Sequence, residues 1–163
     1  MSRPSAAQLI ALLGLIPLPG EGGMFAQTWR SGEVTPSGHP AGTAIYYLLT
    51  DEPDSFSEMH RLPTVEVFHY YLGDSLEGLL LHPGGRIERV TLGAEVLAGQ
   101  HVQFSVPAGV WQGWRVAPGG AYALVGTTMA PGYIDADYER GDRRALLRDY
   151  PAAAQEILTL TRE

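Results

Sequence analysis

The stretch His60-Arg-Leu-Pro-Thr-Val-Glu66-Val-Phe-His69-Tyr-Tyr-Leu-Gly73 governs how the rest of the chain reads. It places a histidine and a carboxylate on two adjoining extended segments, Ser57 to Leu62 and Glu66 to Leu72, and closes on a turn glycine. In a strand, residues two apart share a face. If His60 points inward, Glu58 and Leu62 go with it. If Glu66 points inward, so do Phe68 and Tyr70, leaving Val67, His69 and Tyr71 on the other side.

Outward from this stretch the texture persists. Short runs rich in Val, Tyr, Phe, Trp and Thr alternate with Gly, Pro, Asp and Ser clusters from Met24 to Thr128. The expected strands are Phe25–Arg30, Thr43–Leu49, Ser57–Leu62, Glu66–Leu72, Glu77–Leu81, Arg86–Leu92, Val102–Val106, Gln112–Val116 and Tyr122–Thr128. No helical period of ten or more residues interrupts them, so the pattern predicts an all-β sandwich or barrel of antiparallel strands rather than βαβ units. In the strand at 112–116, Gln112 groups with Trp114 and Val116, opposite Trp111 and Arg115.

Helices are expected only at the ends. Ser5-Ala-Ala-Gln8 fits a capping box, and Leu9, Leu12, Leu13 and Ile16 fit one helix face. Pro19-Gly-Glu-Gly-Gly23 reads as a plain loop, since neither a lysine nor a helix start follows it as a phosphate loop requires. Asp142–Tyr150 and Pro151–Thr161 read as helices, the second burying Ala153, Ile157 and Leu160. The chain is expected to be a single domain: helix and loop over 1–23, barrel over 24–130, helical tail over 131–163.

Composition narrows the function. Eleven basic against eighteen acidic residues give a net charge of −7 without a Lys/Arg run, which argues against nucleic acid or an anionic membrane as partner. With no cysteine, disulfides and thiolate chemistry are excluded, leaving histidine and carboxylate. The apolar run Leu9 to Ile16 is too short to span a bilayer and is not framed as a signal peptide, so a cytoplasmic location is expected.

The spacing His60, five residues, Glu66, six residues, Gly73 resembles the first motif of the cupin superfamily, G-x5-H-x-H-x3-4-E-x6-G, and Pro107-x-Gly109-x2-Gln112 resembles the second, P-x-G-x2-H-x3-N. Ala44-Ile-Tyr-Tyr-Leu-Leu49, Phe56-Ser-x-x-His60-Arg61, Val106-Pro-Ala-Gly-x-Trp111-Gln112 and Ala130-Pro-Gly-Tyr133 resemble one branch, the "cupin five" family, which is similar to the epimerase of the dTDP-rhamnose pathway and to seed storage cupins. The resemblance implies a double-stranded β-helix, the jelly-roll cupin barrel, and a homodimer. It also shows two departures: Leu62 stands where the first motif has its second histidine, and Gln112 where the second motif has its histidine.

The leading expectation is a metal-independent epimerase or isomerase, without a cofactor, acting next to a carbonyl on a sugar-derived small molecule. His60 would move the proton and Glu66 would tune it, while Phe68, Tyr70, Gln112 and Trp114 would contact the substrate. A second reading keeps a divalent first-row metal ion on His60, Glu66 and Gln112. A third is a cupin that binds a small ligand without turning it over. Tyr46, Tyr47, Tyr122 and Tyr133 are candidate acids or pocket walls, and Arg30, Arg86 and Arg89 candidate anion contacts. Arg61 is a candidate partner for Glu66. His39, His82 and His101 are expected to be solvated.

Overall fold

The computed structural model describes residues 3–163. The chain opens on α1 (Ala6–Leu13), where Ser5 and Gln8 form the reciprocal capping box and Gly14 ends the helix in the left-handed conformation, φ 63°. This stop corrects the helix face read from the sequence. Ile16 lies beyond the helix and Leu12 is 80% exposed. Ala6, Leu9, Ile10 and Leu13 pack instead, the same spacing in another phase.

The strands are β1 (Ile16–Pro17), β2 (Met24–Arg30), β3 (Thr43–Thr50), β4 (Ser57–Arg61), β5 (Glu66–Gly73), β6 (Leu76–Leu81), β7 (Ile87–Leu92), β8 (Gln103–Val106), β9 (Trp111–Val116), β10 (Tyr122–Met129) and β11 (Glu139–Arg140). All nine expected strands are present, with ends displaced by one residue at most. The pairs β1 and β11 are too short to show an alternation. Two antiparallel sheets result, ordered β1-β2-β3-β10-β5-β8 and β11-β4-β9-β6-β7. Strands distant in the chain lie side by side, β3 with β10 and β4 with β9, which is the winding of a jelly-roll double-stranded β-helix.

The inward faces meet in a core that includes Tyr47, Leu49, Phe68, Leu76, Leu80, Leu92, Trp114 and Val125. Helix α1, through Leu9, and Leu15 just after it cover part of the outer face of the first sheet against Leu48 and Leu124. On the second sheet, Met59, Leu79 and Leu81 are capped by α2 (Arg143–Asp149) and α3 (Ala154–Thr159), with Ala153, Ile157 and Leu160 buried as the pattern predicts. Asp142 caps α2, whereas the expected second helix begins as a 3-10 turn over Pro151–Ala153. Among the described residues no helix is long and apolar enough to cross a membrane.

One irregularity matters for the site. Ser57 opposes Trp114 and His60 opposes Gln112, so two residues of β4 face one of β9. This bulge breaks the parity that would align Glu58 with His60. Glu58 is instead drawn to Arg140 and Arg162, away from the face expected for it.

Candidate functional site

Between the sheets lies a cavity of about 750 Å³. The first sheet contributes Ile45, Tyr47, Glu66, Phe68 and Thr127, and the second His60, with Leu62 just past the end of β4. Two connections complete the wall, Leu18 to Glu21 ahead of β2 and Tyr133 to Tyr138 after β10. Most of this lining is apolar or aromatic, with a few polar groups converging, the arrangement of a small-molecule pocket.

His60 is 2% exposed, and its Nδ1 lies 2.7 Å from the backbone carbonyl of Glu58. A carbonyl only accepts, so Nδ1 carries the hydrogen and the Nε2 lone pair is left over. Nε2 has no protein hydrogen-bond partner among the described residues, and the ring lines the cavity. Tyr138 stacks on it, with ring centres 5.0 Å apart and planes inclined by 21°.

Glu66 lines the same cavity from β5. Burial pushes its carboxyl above the usual carboxylate range; nearby His60 pulls it down, Glu21 pushes it up, and the Thr127 and Gln112 side chains pull it down again. Its Oε2 accepts from Gln112 Nε2 at 2.8 Å. Gln112 Oε1 accepts in turn from Trp114 Nε1 at 2.8 Å. The indole nitrogen can only donate, so this contact fixes which end of the amide is oxygen and leaves the NH2 facing Glu66.

That chain places several expected contacts. His60, Glu66 and Phe68 line the cavity, whereas Gln112, Trp114 and Tyr70 do not. Gln112 is 1% exposed behind Glu66, and Trp114 is fully buried against Phe68, with ring centres 4.6 Å apart. Tyr70 donates its hydroxyl to the Gly73 carbonyl at 2.6 Å. These three support the wall rather than face the space.

The two departures from the cupin motifs decide how the site fits a metal ion. Leu62 offers no donor, and the Gln112 oxygen is committed to Trp114. Among the described residues no three His, Asp or Glu side chains form a group able to hold a metal ion. The donor set does not match a divalent first-row ion, which asks for several converging imidazole or oxygen ligands.

Glu21 and Tyr138 are cavity residues that the strand pattern does not reveal. Glu21 sits in the loop Pro19 to Gly23, where its Oε1 accepts from Ser57 Oγ at 2.6 Å and the Tyr47 hydroxyl donates to the Gly22 carbonyl at 2.9 Å. Gly22 has φ 110°, and a Cβ there would stand 2.3 Å from the Phe56 carbonyl oxygen, so only glycine lets the loop seat so closely. The one sequence signal was a lone carboxylate among glycines. Among the described residues the buried Tyr138 hydroxyl has no hydrogen-bond partner. Burial, then the Glu21 and Glu58 carboxylates, hold that phenol far above its ordinary range. Tyr133 is pushed up to about 12, first by burial and then by Asp135.

The other candidates divide between the cavity and places away from it. Tyr47 and Tyr133 line the cavity, while Tyr46 packs edge-on to Tyr71 and Tyr122 binds the Pro4 carbonyl. Arg30 lines the cavity, Arg86 pairs with Glu88, and Arg89 with Glu156. Arg61 pairs with Glu139 rather than Glu66. His39 and His82 are not simply solvated: His39 meets Asp137 at 2.9 Å, and His82, 8% exposed, meets Glu88 at 2.7 Å.

The raised Glu66 carboxyl has a consequence for stability. The folded chain holds this proton more tightly than the unfolded chain, so stability falls as pH climbs from the ordinary carboxylate range through the raised folded value. Glu66→Gln can still accept from Gln112 but carries no charge. Denaturant unfolding between about pH 4 and pH 8 is expected to show a decline in the parent that is flattened in Glu66→Gln; parallel profiles would refute the assignment.

The fold defines a jelly-roll protein with a mostly apolar cavity between its two sheets. Residues 7–140 match the family described as Cupin superfamily (DUF985), and the chain belongs to that family. The structure resembles protein SO0799 from Shewanella oneidensis, at 29% identity and TM-score 0.90, covering 98% of this chain and 99% of that one. Two more distant likenesses show the fold alone. A dTDP sugar isomerase from Desulfovibrio desulfuricans has 21% identity and TM-score 0.52 over 78% of this chain and 80% of the other. Oxalate decarboxylase from Bacillus subtilis has 14% identity and TM-score 0.56 over 90% of this chain and 37% of the other. A search of curated proteins finds no match.

Proposed function

We propose that this cupin is a metal-independent isomerase or epimerase that moves a proton next to a carbonyl on a small, sugar-derived metabolite. The supporting observation is the His60 ring, which lines the cavity and is pinned through Nδ1, with no protein hydrogen-bond partner on Nε2 among the described residues. Nε2 takes the proton from the carbon beside the carbonyl, and the electron pair moves onto the carbonyl oxygen. The Tyr138 hydroxyl, buried and without a protein partner among the described residues, is the donor for that oxygen. Glu66 sits beside the imidazole and stabilises it once charged. Gln112, fixed between Glu66 and Trp114, keeps the carboxylate in place, which is why the reading dispenses with a metal ion.

The test is solvent exchange. Keto- and aldo-sugars and their acid derivatives are incubated with the protein in D2O and followed by proton NMR. Deuterium entering the carbon beside the carbonyl is expected for at least one of them. A native ligand identified by mass spectrometry, bound in the cavity and released unchanged in D2O without label, would replace catalysis by simple binding.

The protein is further proposed to act as a homodimer. Trp29 and Val34 are 51% and 67% exposed, and β8 is the edge strand of its sheet among the described residues, features that a second copy would cover. Light scattering at micromolar concentration is expected to give twice the chain mass, and the mass of one chain would overturn this.

A further inference from the structure

Glu58 is a buried carboxylate that the proposed proton transfer does not use. Its side chain is 1% exposed and heavily ligated. Oε1 accepts from Arg140 Nε at 3.0 Å, from Arg140 Nη2 at 2.6 Å and from the backbone N–H of Arg162 at 2.7 Å; Oε2 accepts from Arg162 Nη1 at 3.1 Å. Burial works against its ionisation, but the Arg162 N–H and the two guanidinium groups outweigh it and hold the carboxyl below its ordinary range. An exposed ion pair of this kind would contribute little. Here the carboxylate is buried, while Arg140 and Arg162 keep part of their side chains in solvent.

The main chain of the same residue reaches the site twice. The Glu58 carbonyl holds His60 Nδ1 at 2.7 Å, and the Glu58 N–H donates to the Glu21 carbonyl at 3.1 Å. Arg162 repeats the second link. Its Nη1 also donates to the Glu21 carbonyl at 2.9 Å, its Nη2 donates to the Asp54 carbonyl at 2.9 Å, and its guanidinium lies 4.0 Å over the Phe56 ring. One arginine therefore grips the loop that carries Glu21 into the cavity and the residue that sets the hydrogen position on His60.

We infer that Arg162 is a positioning residue for the cavity. By clamping Glu58 it fixes the carbonyl that selects the Nδ1–H form of His60, and by holding the Glu21 carbonyl it fixes the facing wall. This rests on the reading of His60 as the proton-moving group, because only the Nδ1–H form leaves Nε2 available as a base. When the clamp loosens, the Glu58 carbonyl is no longer aimed at the ring, and the hydrogen redistributes to Nε2. That form cannot accept a proton from a substrate through Nε2.

The test needs no substrate. Protein labelled with 15N in its histidine rings is examined by long-range proton–nitrogen correlation at about pH 9, where an ordinary imidazole is neutral. His69, on the outer face against Thr128, is an internal reference. The parent is compared with Arg162→Met, which keeps an apolar stem over Phe56 but donates nothing, and with Arg162→Lys, which restores charge and a donor. The parent is expected to show His60 with hydrogen on Nδ1. Arg162→Met is expected to shift the tautomer ratio toward Nε2–H by about tenfold, the bias of one lost hydrogen bond, with partial return in Arg162→Lys and no change at His69.

A folded Arg162→Met protein with the parent tautomer, even one melting at a lower temperature, overturns the inference and leaves Arg162 as a structural staple. Should Arg162→Met not fold, the parent and Arg162→Lys decide: hydrogen on Nε2 in the parent, or identical ratios in the two, overturns it equally. Because the readout is the ring nitrogen and not turnover, a failed search for isomerase activity leaves the positioning role standing. Exchange activity with an unchanged tautomer defeats the positioning role alone.

Discussion

His60→Gln is expected to lower the rate of solvent-deuterium exchange into substrate by about 10²–10⁴-fold, the contribution of a positioned acid–base group. The effect should fall on kcat more than on KM, because His60 is one polar group in a largely apolar cavity and the aromatic walls at Tyr47 and Phe68 remain. A glutamine amide can still donate to the Glu58 carbonyl, so the backbone of β4 keeps its partner, but an amide is no proton acceptor near neutral pH. The matching control is Tyr138→Phe, which retains the stacked ring and removes only the buried hydroxyl. Exchange that persists in His60→Gln within a few-fold of the parent would assign the proton transfer to another group, with Glu66 the nearest alternative base.

Trp114→Ala is expected to destabilise the fold by about 3–5 kcal/mol, the range for removing a large buried aromatic side chain. Trp114 is fully buried, packs against Phe68, and lies directly on Gly78, where a Cβ would come within 2.2 Å of the indole. Its loss opens a void under the cavity and deprives the Gln112 oxygen of its indole donor. Trp114→Phe separates the two effects: the ring is largely kept and the donor is lost, at an expected cost of about 1–3 kcal/mol for the stranded amide oxygen. Gly78→Ala is expected to destabilise the parent by over-packing, about 1–3 kcal/mol, and to be far better tolerated beside Trp114→Ala. Denaturant unfolding of the four proteins gives the coupling directly. Additive values would show that Gly78 and Trp114 do not share one space.

The strands were legible because alternation survives in short runs, and β5 carried Glu66 and Phe68 to the cavity as its parity predicts. Parity gives direction but not depth. Gln112 and Trp114 do point inward, yet they end on Glu66 and Phe68 of the facing sheet rather than at the cavity, and no periodic pattern within one strand shows which inward residues the opposite sheet covers. Glu58 was misplaced because a bulge leaves no mark in Ser-Glu-Met-His-Arg. The face of α1 was read one phase out, since Gly14 ends the helix before Ile16 can join it. Glu21 and Tyr138 come from connections, whose course is set by glycine conformations and tertiary contacts rather than by a repeat.

Chain order gives the stack of Tyr138 on His60 a temporal meaning. The main strands of both sheets are complete by Met129, while Tyr138 and Arg162 come afterwards. A nascent chain that has emerged only to Met129 carries the imidazole without its covering ring and without the arginine that secures its acceptor. The main strands and the groups that dress the imidazole thus come from separate parts of the chain.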